Sequence, residues 1–199
     1  MSKVLPFSLE PNIDENELGN ARLGMWLFLI SELVLFAALF VLYLQIRGHA
    51  DEWPRGADYL DIPAGVLSSA MLIVSSITMM LAWNAARERK RRRFQTTLGL
   101  TILLGTAYMV IKIWEYQVKL AAGLMPSTNF FLGLYYTTTG VHVFHALCGV
   151  LYNAYLWGPG SRLWDKRPVR FANQVELAGL FWHFVDIVWL FLFPMLYLL

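Results

Sequence analysis

Residues 181–193 read Phe-Trp-His-Phe-Val-Asp-Ile-Val-Trp-Leu-Phe-Leu-Phe, eleven apolar side chains interrupted by His183 and Asp186. They lie in a longer apolar run, residues 175–197. At about 1.5 Å per residue in a helix, such a run bridges the roughly 30 Å hydrocarbon core of a bilayer. A helix is the form it must take, because lipid offers backbone N–H and C=O groups no partners. Four runs of similar length precede it, at residues 23–46, 62–83, 97–118 and 130–156. Composition agrees: 57% of residues are hydrophobic and only 15% charged, where soluble domains carry about a quarter charged. The expected fold is an all-α polytopic membrane protein, one bundle of five transmembrane helices in a single membrane domain, residues 1–199. The connectors are too short for a second domain, and neither an internal repeat nor a Gly-rich phosphate loop is visible.

The connector between the second and third runs reads Arg-Glu-Arg-Lys-Arg-Arg-Arg over residues 87–93, a charge block that belongs on the cytoplasmic side. With it inside, twelve basic residues fall inside: Lys3, Arg22, the six of the block, Arg162, Lys166, Arg167 and Arg170. Arg47, Arg55 and Lys119 fall outside, and Lys112 lies within a run. This bias puts the N-terminus inside, in the cytoplasm, and the C-terminus outside. The block reads first as a topology determinant and second as an anionic-lipid site; neither involves nucleic acid. Residues Met1 to Leu18 are polar and acidic, without the apolar stretch of a cleaved signal peptide. Cys148 is the single cysteine, which excludes an intrachain disulfide and a cysteine metal cage.

Gly65, Ser69, Leu72 and Ser76 fall three or four apart, the spacing of a close helix contact. Trp53, Trp83, Trp157 and Trp164 stand near run ends and read as interfacial anchors. Pro194 removes one backbone donor and distorts the outer end of the last run.

The unusual content is ionisable: Glu32, Lys112, Glu115, His142, His145, Glu176, His183 and Asp186 all lie within the runs. Each is costly in hydrocarbon unless paired or wet. Counting helical rise from the inner ends puts Glu32 and His183 roughly 12 to 14 Å deep, and His145 and Asp186 about 17 Å deep. Groups from three helices are thus level, so a cluster joining the first, fourth and fifth runs is expected. His142 and His145 share a stripe with Tyr135, Thr138 and Gly149, and His183 and Asp186 are likewise three apart. Lys112 and Glu115 sit toward the outer interface, where a snorkelling pair is expected; Glu176 is shallow enough to reach water. Two competing readings stay open on the residues alone. Histidines on membrane helices can ligate a haem, and His183 would have to complete a set with His142 or His145. Glu32 and Asp186 can line a proton path, although no inverted repeat or broken helix marks a transporter.

The opening string closely resembles the last-helix signature of subunit III of haem-copper terminal oxidases. Three further segments match that family in order: Gly-Met-Trp-Leu-Phe-Leu-Ile-Ser-Glu-Leu (24–33), Trp-Glu-Tyr (114–116) and Thr-Gly-Val-His-Val-Phe-His (139–145). The resemblance implies the short, five-helix bacterial form, lacking the first two helices of seven-helix members. It further implies a non-catalytic, non-redox accessory subunit of a proton-pumping respiratory oxidase, with no metal or cofactor on this chain. Haems and copper would lie in partner subunits. Subunit I is the implied direct partner; subunit II, small subunits or a respiratory supercomplex are the others, and bound phospholipid is expected. In this family the subunit supports proton uptake and protects the catalytic subunit from turnover-linked inactivation. Glu32 is similar to the family's carbodiimide-reactive membrane carboxylate, and His142, His145 and Asp186 fall on its other polar positions. A cytochrome c oxidase is favoured, with a quinol oxidase or a nitric oxide reductase as alternatives. Glu32, His142 or His145, and Asp186 are expected to form one interhelical clamp.

Overall fold

The computed structural model describes residues 15–199, and among these every regular element is helical. The elements are α1 (Glu15–His49), α2 (Gly56–Tyr59), α3 (Ile62–Arg87), α4 (Arg91–Ala121), α5 (Phe130–Trp157), α6 (Leu163–Lys166) and α7 (Pro168–Phe193). A 3-10 turn, Pro159–Arg162, precedes α6, and a π-helical turn, Pro194–Leu198, follows α7. The signal-peptide reading of the N-terminal stretch and the placement of Lys3 fall on residues outside this range. Each of the first four apolar runs lies within one long helix, and the fifth runs through α7 into the π-helical turn that follows it. Four helical segments, Leu18–His49, Ile62–Arg87, Arg91–Ala121 and Pro168–Leu198, are long and apolar enough to cross a membrane. The fifth long helix, α5, has 28 residues, but Thr137, Thr138, Thr139, His142 and His145 lower its hydropathy. Most of these polar side chains face protein: Thr138, Thr139, His142 and His145 are all buried.

Local chemistry sets the boundaries. Asp61 caps α3 by accepting from the Ala64 N–H at 3.2 Å, with a proline in the first turn, and Asn129 caps α5 by accepting from Leu132 N–H at 2.7 Å. Between α3 and α4 the chain reverses through Arg89 at φ 60°, a left-handed conformation that opposes side chains. The Arg89 guanidinium holds the reversal in place by donating to the Trp164 carbonyl, while Arg91 reaches Asp165 at 3.3 Å. The basic block is therefore docked on the connector that leads into α7. Trp164 is buried there between Phe94 and Phe171, a packed side chain where an interfacial anchor was expected. Trp157 does stand at the surface, donating to the Gln95 carbonyl at 2.9 Å.

Helices α3, α4, α5 and α7 pack in a ring, each touching the next. The stripe on α3 faces α7 as its spacing predicts: Gly65 lies against Phe193 and Tyr197, Ser69 accepts from Trp189 Nε1 at 2.9 Å, and Ser76 meets His183. Inside the ring, Trp182 donates to Ser75 Oγ at 3.0 Å. Its ring passes between two glycines: a Cβ at Gly105 would stand 2.6 Å from it, and one at Gly149 2.7 Å. Gly149→Ala should therefore destabilise the bundle by about 1–3 kcal/mol through overpacking, read as a lower unfolding midpoint in detergent. A change below half that would show that the indole is free to shift.

Helix α1 lies outside the ring, against α5 and α7. Its contact is a narrow stripe of buried Leu29, Phe36 and Tyr43, spaced seven apart, and Leu27, Ile30, Val34 and Val41 face away. Polar ties hold it at three heights: Arg22 to Glu176 at 2.8 Å, Glu32 to His145 at 2.9 Å, and Arg47 to the Leu199 carbonyl at 3.0 Å. After Phe193 the hydrogen-bond pattern widens, as expected of Pro194, and the Leu199 N–H reaches the Pro194 carbonyl at 3.1 Å.

Candidate functional site

The middle tie joins Glu32 and His145, two members of the cluster expected across the first, fourth and fifth runs. His145 places Nδ1 2.7 Å from the Val141 carbonyl and Nε2 2.9 Å from Glu32 Oε2. A carbonyl only accepts, so Nδ1 carries a proton. The Nε2 to carboxylate contact then holds one further proton, either on Glu32 or on the imidazole. Both side chains are largely buried, and Phe36 sets its ring edge against His145 with centroids 5.4 Å apart. Replacing Glu32 with Gln keeps a donor toward Nε2 and should cost under about 1 kcal/mol, whereas Glu32→Leu strands Nε2 and should cost about 1–3 kcal/mol. Equal losses in a denaturation titration would rule out the pairing.

His142 belongs to a separate network. Its Nε2–H donates to the Val185 carbonyl at 3.0 Å, so Nδ1 accepts from the Tyr108 hydroxyl, also at 3.0 Å. The Tyr108 ring stands edge-on to it, and Trp189 lies tilted beside it. Both nitrogens of His142 and of His145 are thus engaged by protein, which leaves neither in position to ligate iron.

His183 and Asp186 point elsewhere. His183 meets Ser76 Oγ through Nδ1 at 2.5 Å, and both residues line a groove between α3 and α7 with Ile73, Ile77, Met80, Ile187 and Leu190. Neither carboxyl oxygen of Asp186 has a hydrogen-bond partner among the described residues. The expected single clamp is therefore divided: Glu32 and His145 form a pair, His142 is tied to Tyr108 and the α7 backbone, and Asp186 joins neither. Depth along the helices is shared, but α7 turns Asp186 to its α3 side and away from α5.

Lys112 and Glu115 depart from the snorkelling expectation. Lys112 is 0% and Glu115 2% exposed. Lys112 Nζ donates to Glu115 Oε2 at 2.5 Å and to the Tyr197 hydroxyl at 2.6 Å, and Tyr197 donates in turn to Glu115 Oε1 at 3.1 Å. Lys119 approaches the same carboxylate at 3.5 Å, and Lys112 lies 4.4 Å from the centre of the Trp189 ring. The reason is the register of α4, whose buried face runs through Thr101, Gly105, Tyr108, Lys112, Glu115 and Lys119. The side chains thus point inward against the chain end and not outward to the interface. Glu176, by contrast, is part-exposed in the first half of α7, paired with Arg22.

Tyr108, Tyr197, Ser76 and Arg22 are participants that the charged-residue search passed over. Tyr108 carried a signal, since it falls on the α4 stripe four residues before Lys112; Tyr197 and Arg22 gave none, because their partners lie more than 80 residues away. Among the described residues no group of three His, Cys, Asp or Glu is placed to hold a metal ion.

Comparison with known proteins fits this architecture. The family model described as cytochrome c oxidase subunit III matches residues 17–199. A relative in Pseudomonas aeruginosa, cytochrome bo(3) ubiquinol oxidase subunit 3, is 34% identical over 91% of this chain and 86% of its own length. Cytochrome c oxidase subunit 3 of a Bacillus species is 31% identical over 90% of this chain and 86% of its own. In Aeropyrum pernix a heme-copper oxidase subunit I+III is 30% identical over 89% of this chain and 22% of its own length. With four ordered motifs, a helical membrane bundle and a match across nearly its whole length, the chain belongs to the cytochrome c oxidase subunit III family.

Proposed function

We propose that this chain is the non-redox subunit III of a proton-pumping terminal oxidase in the bacterial cytoplasmic membrane, where it braces the catalytic subunit, supports proton uptake and binds lipid. The observation that carries the non-redox part is the use of its histidines: His142 and His145 give both nitrogens to protein partners. All five long helices cross the bilayer, with the N-terminus in the cytoplasm. Support for α5 as a crossing is that Thr138, Thr139, His142 and His145 are turned into the bundle and bonded there, away from lipid. The twelve-to-three distribution of basic residues supports the orientation.

Subunit I is the direct partner in this reading, which is supported by the Aeropyrum pernix relative whose name joins subunits I and III in one protein. Lipid binding is supported by the outward apolar side chains of α1, among them Leu27, Ile30, Val34 and Val41. A cytochrome c oxidase is favoured; the Pseudomonas relative, named for ubiquinol, supports a quinol oxidase as the second reading. Isolation of the complex through a tag on this chain separates them. A dicopper centre in the co-isolated partners marks the cytochrome c type, and its absence with quinol-dependent oxygen uptake marks the other. Removal of the chain should leave initial turnover unchanged while shortening the active lifetime; an unchanged lifetime would defeat the bracing role.

A further inference from the structure

Asp186 is the one carboxylate among the described residues whose two oxygens are both buried without a hydrogen-bond partner. The residue is 5% exposed. Ser76 is the side chain whose hydroxyl bears on it, but its Oγ also meets His183 Nδ1, and its single O–H can serve at most one of the two oxygens. An acceptor left so in an apolar setting is costly. In membrane helices, such groups commonly bond across to another helix.

The setting defines the donor. Asp186 stands ten residues beyond Glu176, whose pair with Arg22 marks the inner end of the bundle. Ten helical residues are about 15 Å, the middle of a roughly 30 Å core. Lipid phosphates and amines stay at the two surfaces, so no headgroup reaches this depth. The groove over Asp186 has a volume of about 360 Å³. Its rims, Ile73, Ile77 and Met80 on α3 and Ile187 and Leu190 on α7, are half-exposed and apolar. An aliphatic-walled groove with an acceptor at its base matches an apolar helix that carries one N–H or O–H donor.

We propose that the α3–α7 groove is a docking face for a transmembrane helix of a partner subunit, which sets a side-chain donor against Asp186. Docking completes the polar set: the partner gives Asp186 the donor that Ser76 alone cannot supply to both oxygens. The proposal rests on the reading of this chain as a subunit of an oxidase complex, and it assigns to one face a contact that the family relationship leaves unplaced.

The test uses the whole complex, isolated from membranes through an affinity tag on this chain, with co-isolated haem per chain as the readout. Asp186→Leu should lower it about tenfold or more, the scale of a lost hydrogen bond to a charged group, and Asp186→Asn, which keeps a carbonyl acceptor, should lower it less. In the otherwise wild-type chain, a photo-crosslinking residue at Ile77 or Ile187 should capture a partner subunit, and one at Leu103 on α4 should not. That second arm does not depend on the folding of an Asp186 variant. Wild-type levels of haem in both Asp186 variants, or crosslinks from Leu103 and none from the groove, would overturn the docking face alone. Absence of any haem-bearing partner from the wild-type isolate would overturn the oxidase reading and this proposal together.

Discussion

Glu115→Leu should destabilise the isolated subunit by about 3–5 kcal/mol, the loss expected when one member of a buried ion pair is removed and its partner stays. Glu115 is the only anion in a group with two cations, Lys112 and Lys119, and all three side chains are nearly inaccessible. Deleting it leaves both ammonium groups facing each other's field with the Tyr197 hydroxyl and the Trp189 ring as their remaining company. Deleting Lys112 instead leaves Glu115 with Lys119 and Tyr197, so Lys112→Met should cost less than half as much. The double variant should also be more stable than Glu115→Leu alone, because Lys119, near the end of α4, can turn toward water. Unfolding of the four proteins in mixed micelles forms a double-mutant cycle. Equal losses for the two single variants would show that charge balance is not what holds this end of the bundle.

Trp182→Ala should cost about 3–5 kcal/mol, the range for emptying a large aromatic from a packed core. The indole fills the space between α3, α4, α5 and α7, and the two glycines that admit it, Gly105 and Gly149, have no side chain to close the gap. Ser75 would lose the donor that its Oγ receives. Trp182→Phe keeps most of the volume and loses that hydrogen bond, so it should fall between wild type and alanine. A loss under about 1 kcal/mol for Trp182→Ala would mean that the ring collapses around the void, read by the same unfolding experiment.

The positions of the long helices were legible because an apolar run of membrane length has one structural outcome. Pairing between α1 and α5 was also within reach, since Glu32 and His145 lie at matching depth and each needs a partner. Azimuth was harder. Asp186 shares that depth but points to α3, and rotation about a helix axis is fixed by neighbours such as Gly65 and Gly149, which receive Phe193 and Trp182. The burial of Lys112 was written in the sequence as the three- and four-residue spacing from Gly105 through Lys119, but charge at an outer helix end drew the reading toward water. What no local pattern could supply was Tyr197, which the π-helical turn after Phe193 carries back over α4.

The three ties of α1 also order its assembly. Their partners lie 154, 113 and 152 residues later in the chain, so each waits on segments that the ribosome has yet to make. Glu32 is therefore made before His145 exists to meet it, and its carboxyl stays without that partner until α5 is complete. Helix α1 is made before its partners and fixed only after them, and a chain halted before α5 would carry an acidic group on an apolar helix with nothing to answer it.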